Sequence, residues 1–270
     1  MTLYIIGNGF DLKHDLPSRY SNFADYCKLH YPCLFEQVES AFPEISKDSL
    51  WSNFEEGLGE PSEKVLKDWY DLNQTDYGNK RDSDSFELFL GDLKKALQEW
   101  IRYLNSCISS LCRHYCFEDD SLFLSFNYTR TLEELYGIDS ALVKHIHECA
   151  ERENEEICEG YIFGYGKNIE SSHSYIDSFD YQYKDLLKYL SKDYKTKDLE
   201  EFLKKGKDIS KIIVLGHSLN KIDDTYFDII NKTFPEAKWY VDYTKCMSLI
   251  KKMRSVMRIG IKNVKYFKSK

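Results

Sequence analysis

Asn127, His147, Asp11 and His14 are the side chains whose type and position suggest chemistry. Imidazoles carry protons near neutral pH, and a carboxylate can orient a water or a sugar hydroxyl. Asn127 follows the apolar run in LFLSFNYTRTLEELY, Leu122 to Tyr136. A neutral amide at a strand end donates and accepts at once, which suits a ribose hydroxyl or an attacking water; the structural alternative is an Asn that ties two loops together. His147 ends the stretch VKHIH, two positions after His145, and on a strand that spacing turns both rings to one face. No further ligands stand near this pair, so His147, nearer the C-terminal end, is taken as a proton carrier and no metal is expected.

Asp11 and His14 lie just past Gly7-Asn8-Gly9, where the first apolar run stops. Glycines let the chain turn sharply and approach a ligand, so the amides from Gly7 to Phe10 form a candidate cradle for a diphosphate. The third glycine of a GxGxxG fingerprint is missing, with Leu12 in its place, and an ordinary strand-to-loop turn is the competing reading. Asp11 could equally cap a helix. A second strand-to-turn signal, Gly216-His217-Ser218, resembles the GxSxG elbow of α/β-hydrolases. However, Asn220 replaces the second glycine and no histidine follows His217 to complete a triad.

These turns need strands to deliver them. Strand-length apolar runs recur at Thr2 to Ile6, Leu122 to Phe126, Val143 to Ile146, Tyr161 to Phe163, Lys211 to Leu215, Lys238 to Val241 and Val264 to Phe267. Most are continuous, as in strands buried on both faces of a mostly parallel sheet. A stripe from Phe86 through Leu111, in steps of three and four, predicts one long helix, or two joined end to end, over Asp84 to Tyr115. Further helices are expected over Ser18 to His30, Asp48 to Leu58, Ser62 to Leu72, Ile176 to Leu190, Leu199 to Lys204, Asp223 to Thr233 and Thr244 to Met257. Thr131 with Glu134 fits a capping box opening another. Roughly a hundred residues separate the first two strands, far more than a crossover requires. The expectation is one α/β domain over residues 1–270, three-layered and Rossmann-like, with residues 18–120 as a helical insertion or cap. Within it, Asn73 to Ser85 reads as a loop.

With 42% hydrophobic and 15% aromatic residues, the 270-residue chain can build a sizeable core. The net charge of −8 argues against whole-surface nucleic-acid binding. Only residues 251–270, with eight Lys or Arg and no acid, could attract an anionic partner; a solvated helix and a lysine-guarded edge strand is the plainer reading. No apolar stretch approaches a membrane span and no signal segment opens the chain, so a cytoplasmic location is expected. The eight cysteines contain no CxxC pair.

As an ordered set, IIGNGFDLKHDLPSRYSNF, WSNFEEGL, SFNYTRTLEELY, HIHE, FGYG and VLGHSLNKIDDTYF resemble the AbiH family of phage abortive-infection proteins over nearly the whole chain. The series is similar, more distantly, to the sirtuin-like NAD-binding fold. That likeness implies NAD as substrate or ligand, with Gly7, Asn8, Gly9 and Phe10 at the diphosphate, Asn127 at the nicotinamide ribose, and Asp11 as a further binding residue that could orient a ribose or a water. His147 would be the base, Gly216 with Ser218 would hold the adenosine side, and His217 and Asp223 would be further cofactor-binding residues. It departs in two places: sirtuin deacylases carry a zinc ribbon that this chain lacks, and Glu148 follows His147 where Gly is expected. The implied activity is NAD hydrolysis. Two alternatives stand beside it: a nucleotide-sensing switch without turnover, and a metal-dependent phosphodiesterase or nuclease using Asp11, His14, His145 and His147. A phage-derived trigger and a homo-oligomer are the partners left open.

Overall fold

The computed structural model describes residues 1–46, 51, 54–58, 62, 84–147, 194–206 and 208–269. The expected strand at Tyr161 to Phe163 and helix at Ile176 to Leu190 lie outside them. So do Ser62 to Leu72 beyond Ser62 itself, and most of Asp48 to Leu58 and of the Asn73 to Ser85 loop. By contact clustering the chain divides into two compact units, one of residues 1–18, 101–160 and 193–270, the other of residues 19–100 and 161–192.

The first unit holds six strands, all parallel: β1 (Thr2–Ile6), β2 (Ser121–Ser125), β3 (Val143–His145), β4 (Lys211–Leu215), β5 (Lys238–Tyr243) and β6 (Val264–Lys268). Their order is β3-β2-β1-β4-β5-β6. This is the doubly wound order of dinucleotide-binding folds, which reverses between β1 and β4. Every residue of β1 is buried, as the continuous apolar run requires of a strand covered on both faces. Alternation sends Leu3 and Ile5 to one face and Tyr4 and Ile6 to the other.

The Leu3 face packs on α8 (Thr196–Leu203), α9 (Asp224–Thr233) and α10 (Cys246–Ile259) through Phe202, Phe227, Ile230 and Val256. The Tyr4 face packs on α1 (Asn8–Lys13) and α7 (Thr131–Tyr136) through Phe10 and Leu132. Helices thus cover both faces, giving the expected three-layer Rossmann-like α/β architecture. Each large side chain buried this way contributes about 1.5–3 kcal/mol. In the basic tail, α10 is followed by the edge strand β6, on which Lys265 and Lys268 are exposed.

The second unit contains α2 (Tyr20–His30), α3 (Pro32–Ala41), α4 (Pro43–Ser46), α5 (Phe54–Gly57) and most of α6 (Asp84–Cys107). Its core is aromatic: Trp51 stacks on Phe35 and Phe54, and Phe23 meets Trp51, Phe54 and Trp100. Trp51 donates its indole N–H to Glu39 at 2.6 Å. The WSNFEEGL motif therefore supplies core residues at Trp51, Phe54 and Leu58.

Three sequence expectations are corrected. The long helix ends at Cys107 with one 3-10 turn, not at Tyr115, because Tyr115 and Phe117, two apart, both pack against the sheet and need extended chain between them. Arg130, not Thr131, stands at the N-cap of α7, so no Thr131–Glu134 capping box forms. The β3 strand stops at His145, so His147 lies in the turn beyond it and the two-residue alternation does not extend to it.

Candidate functional site

The turns after β1 and β4 meet at the reversal of strand order, where open α/β sheets hold ligands beyond the strand ends. They are pressed together. A Cβ on Gly7 would lie 2.5 Å from the His217 Cα, and one on Gly9 would lie 2.8 Å from the Gly216 Cα. Gly216 itself has φ +69, a left-handed conformation costly to other residues, and a Cβ there would meet the Phe10 nitrogen at 2.1 Å. Main-chain bonds seal the contact: Gly7 N–H donates to Leu215 O at 3.0 Å, Gly9 N–H to Gly216 O at 2.8 Å, and Phe10 N–H to Gly7 O at 2.8 Å. The glycines thus serve the approach of one turn to the other, and three amides of the expected diphosphate cradle already have acceptors inside the protein. Asn8, Ser218 and Asn220 are the exposed residues of the two turns. The Asn8 side chain is itself tied to Ser18, donating to its carbonyl at 2.8 Å and accepting from its hydroxyl.

Asp11 is buried under this junction and makes no helix cap. Its carboxylate accepts from Thr129 Oγ1 at 2.5 Å, from Thr131 Oγ1 at 2.8 Å and from the Asn127 amide. Burial pushes its pKa up to about 6 against these hydrogen bonds and the charge of His145, all of which pull it down. Thr131 is therefore an Asp11 partner, which its place near a helix start concealed.

Asn127, delivered by β2, is 6% exposed. Its Nδ2 donates to Gly7 O at 3.2 Å and to Asp11. Both partners are pure acceptors, so the NH2 group must face them and Oδ1 must point away. That oxygen is buried and no hydrogen-bond donor reaches it. The donor half of the amide thus ties two turns together, and the acceptor half remains available to a ligand.

The remaining histidines divide by partner. The His14 Nδ1 lies 2.7 Å from Phe10 O, which can only accept, so Nδ1 carries the proton. Its Nε2 lies 2.7 Å from the Tyr136 hydroxyl, which already accepts from His114 N–H and Tyr115 N–H and so offers its own hydrogen to Nε2. His14 is thereby neutral, and burial holds its pKa below the ordinary histidine value. His145 faces Asn127 O at 3.0 Å and Glu133 Oε1 at 2.9 Å. Burial alone would raise the Glu133 pKa, but the hydrogen bond and charge of His145 bring it below the usual carboxylate value.

His147 and His217 flank one carboxylate. The His147 Nε2 stands 3.8 Å from Asp223 Oδ1, and the His217 Nε2 stands 3.4 Å from Asp223 Oδ2. Phe126 packs edge-on against both rings, and the Tyr128 ring lies 5.6 Å from His147. The structure brings together Gly7, Gly9, Phe10, Asp11 and Asn127 in one cluster at the strand ends, and His147, His217 and Asp223 in a second. His14 and His145 turn to partners of their own, so the four side chains suggested for a metal-dependent reaction do not converge. Among the described residues no group of three or more His, Cys, Asp or Glu is arranged to hold a metal ion.

Two residues here escaped the sequence reading. Asp242, at the end of β5, accepts from Gly216 N–H at 2.9 Å and pairs with buried Lys252 at 2.5 Å. Their signals were an acid inside an apolar strand and a lysine on the buried stripe of α10, which runs through Ser255, Val256 and Ile259. The β4 turn is also clamped at Leu219, whose φ is +57 and whose carbonyl accepts from Arg258 at 2.8 Å. Arg258 in turn binds Asp224 through two nitrogens, at 2.6 and 2.8 Å.

No helix among the described residues is long and apolar enough to cross a membrane. No curated protein and no solved structure matches the chain. The model of bacteriophage abortive infection AbiH matches residues 3–243, which include β1, β2, β3, β4 and β5 with both turns of the site. The chain therefore belongs to the AbiH family, which implies a role in phage abortive infection.

Proposed function

We propose that this AbiH protein binds NAD or a closely related nucleotide above the β1 and β4 turns and hydrolyses its nicotinamide glycosidic bond. The observation that carries the reading is Asn127 Oδ1, a buried acceptor with no donor, held beside the strand-order reversal. Buried polar atoms in native proteins are satisfied, so an atom left in this state fits a ligand hydroxyl or an ordered water. Asn127 would hold the ribose or the attacking water, and His147 would take the water's proton. The water oxygen bonds to C1′ of the ribose, and the C1′–N bond breaks with its electron pair passing to nicotinamide. The proton leaves through His147 to solvent. Nicotinamide departs from a cationic state, so positioning and charge stabilisation supply most of the rate.

The test is NAD turnover by purified protein and cellular NAD during phage challenge. Wild type is expected to release nicotinamide and ADP-ribose, and His147→Gln to do so about a hundredfold more slowly, the scale of a lost general base. If His147→Gln protects cells as wild type does and NAD levels stay constant in both, the hydrolase reading is wrong. Calorimetric binding of NAD with no product would instead assign the site to nucleotide sensing.

A further inference from the structure

A solvated helix turns polar side chains outward, and α10 does not. Its inward stripe is Lys252, Ser255, Val256 and Ile259. Opposite stand Met247, Ile250, Met253 and Met257, in steps of three, three and four that keep to one side of a helix. All four are exposed, Met247 to 68% and Met257 to 78%, and they are half of the eight large hydrophobic side chains exposed among the described residues. Three of the chain's four methionines lie in this one stripe. Exposed Lys251 and Arg254, four residues on from Met247 and Ile250, border it, and exposed Lys262 follows in the connection to β6. Lys252 and Arg258 instead pair with Asp242 and Asp224. No Asp or Glu occurs from Thr244 to Lys270, whose nine Lys and Arg leave a net charge of −17 on residues 1–243.

We propose that α10 is a docking surface for an anionic lipid bilayer, lying along it with the methionine stripe in the headgroup boundary and Lys251, Arg254 and Lys262 against the lipid phosphates. At 14 residues, about 21 Å, the helix is too short to cross a bilayer but long enough to rest in its interface. Charge and apolarity together select this occupant. On a nucleic acid the apolar stripe would stay in water, because phosphates call for cations alone. A second copy related by a two-fold axis would set Lys251 and Arg254 against their own like charges. A protein partner is held in register by charges of both signs, and this surface carries one sign only. A bilayer rich in anionic lipid is uniformly negative and has no register, and it repels the acidic remainder of the chain while attracting the basic helix. Methionine suits the contact, being unbranched and able to follow a fluid surface. None of these residues belongs to the candidate site, so the hydrolase reading is not involved.

The experiment is flotation of the full-length protein with vesicles of phosphatidylcholine alone and of phosphatidylcholine mixed with phosphatidylglycerol. Wild type is expected to float with the anionic vesicles only, and to be released as salt rises from about 0.1 M to about 1 M, where the screening length falls to about 3 Å. Lys251→Ala with Arg254→Ala should weaken binding about 25-fold, roughly fivefold for each charge removed. Met247→Ser with Met257→Ser should weaken it about tenfold or more at the same lipid charge. The replaced side chains are exposed, so urea midpoints of the variants should match wild type; should the methionine pair disturb folding, Ile250→Asn reads the same stripe. No flotation with the anionic vesicles overturns the proposal. So does flotation that the methionine pair leaves unchanged, which would reduce the contact to charge alone. A dimer lost in Met257→Ser, without flotation, would assign the stripe to a second copy. Binding of an acidic amphipathic peptide, without flotation, would assign it to a protein, and either result rejects the lipid surface.

Discussion

Asp11 shows how one atom's surroundings decide between site chemistry and scaffold. Its carboxylate is enclosed by two threonine hydroxyls and an amide, yet burial dominates and its pKa rises to about 6. A carboxyl whose folded pKa lies above its unfolded value of about 3.9 favours folding most below that value, and the advantage disappears as pH rises through 6. Between pH 4 and 7 the wild type should therefore lose about 2 kcal/mol that Asp11→Asn does not lose. Urea midpoints of both proteins across that range measure it, and parallel curves would show that the aspartate titrates normally. Sequence could nominate Asp11, Asn127 and His147 because their side chains can carry a proton or hold a hydroxyl close to where apolar runs stop, but it could not sort them. Which nitrogen of His14 carries a proton, or that Asn127 has one free oxygen, depends on partners more than a hundred positions away.

At the scale of elements, the two strand-end turns behave as one part. Gly216 and Gly137 have nearly the same left-handed φ, +69 and +70, but a Cβ on Gly137 meets nothing within 4 Å. Gly137→Ala should cost about 1 kcal/mol, the price of the backbone alone. Gly216→Ala must in addition part the β1 and β4 turns, and should cost more than about 3 kcal/mol or prevent folding, since its Cβ would collide with main chain that cannot rotate away. Equal urea midpoints for the two variants would mean that the junction yields. The strands were legible because a buried parallel strand prints a continuous apolar run: Thr2–Ile6 and Lys211–Leu215 are found where the runs predict them. Some short helices were not, although α7 and α8 were expected near where they lie. α1, with six residues, looked like a polar loop because Asn8, Asp11 and Lys13 interrupt any stripe. α3 and α4 follow Tyr31 and Phe42 so closely that their apolar residues blur into their neighbours.

For the whole molecule, strand order is what local patterns cannot carry, because β1 finds its neighbours in β2 and β4, more than a hundred and two hundred residues downstream. The sequence supported a mostly parallel, three-layer sheet but no strand order. The order predicts where the molecule resists opening. Fully buried β1, bonded on both sides, should exchange its amide hydrogens at least about tenfold more slowly than β6, which has a neighbour on one side only. Peptide-resolved hydrogen exchange will show this ordering, and equal protection of β1 and β6 would contradict it.

The sealed junction between the two turns also bears on how such proteins diverge. Main-chain donors recognise a phosphate whatever the side chains are, and single substitutions leave that recognition intact. Here the donors of Gly7, Gly9 and Phe10 are engaged with neighbouring main chain, so on the proposed reading a nucleotide above them would be met by the side chains of Asn8, Asn127, His147 and Ser218. A substitution at exposed Ser218 would therefore alter what is met there while the glycines and the sheet beneath stay as they are.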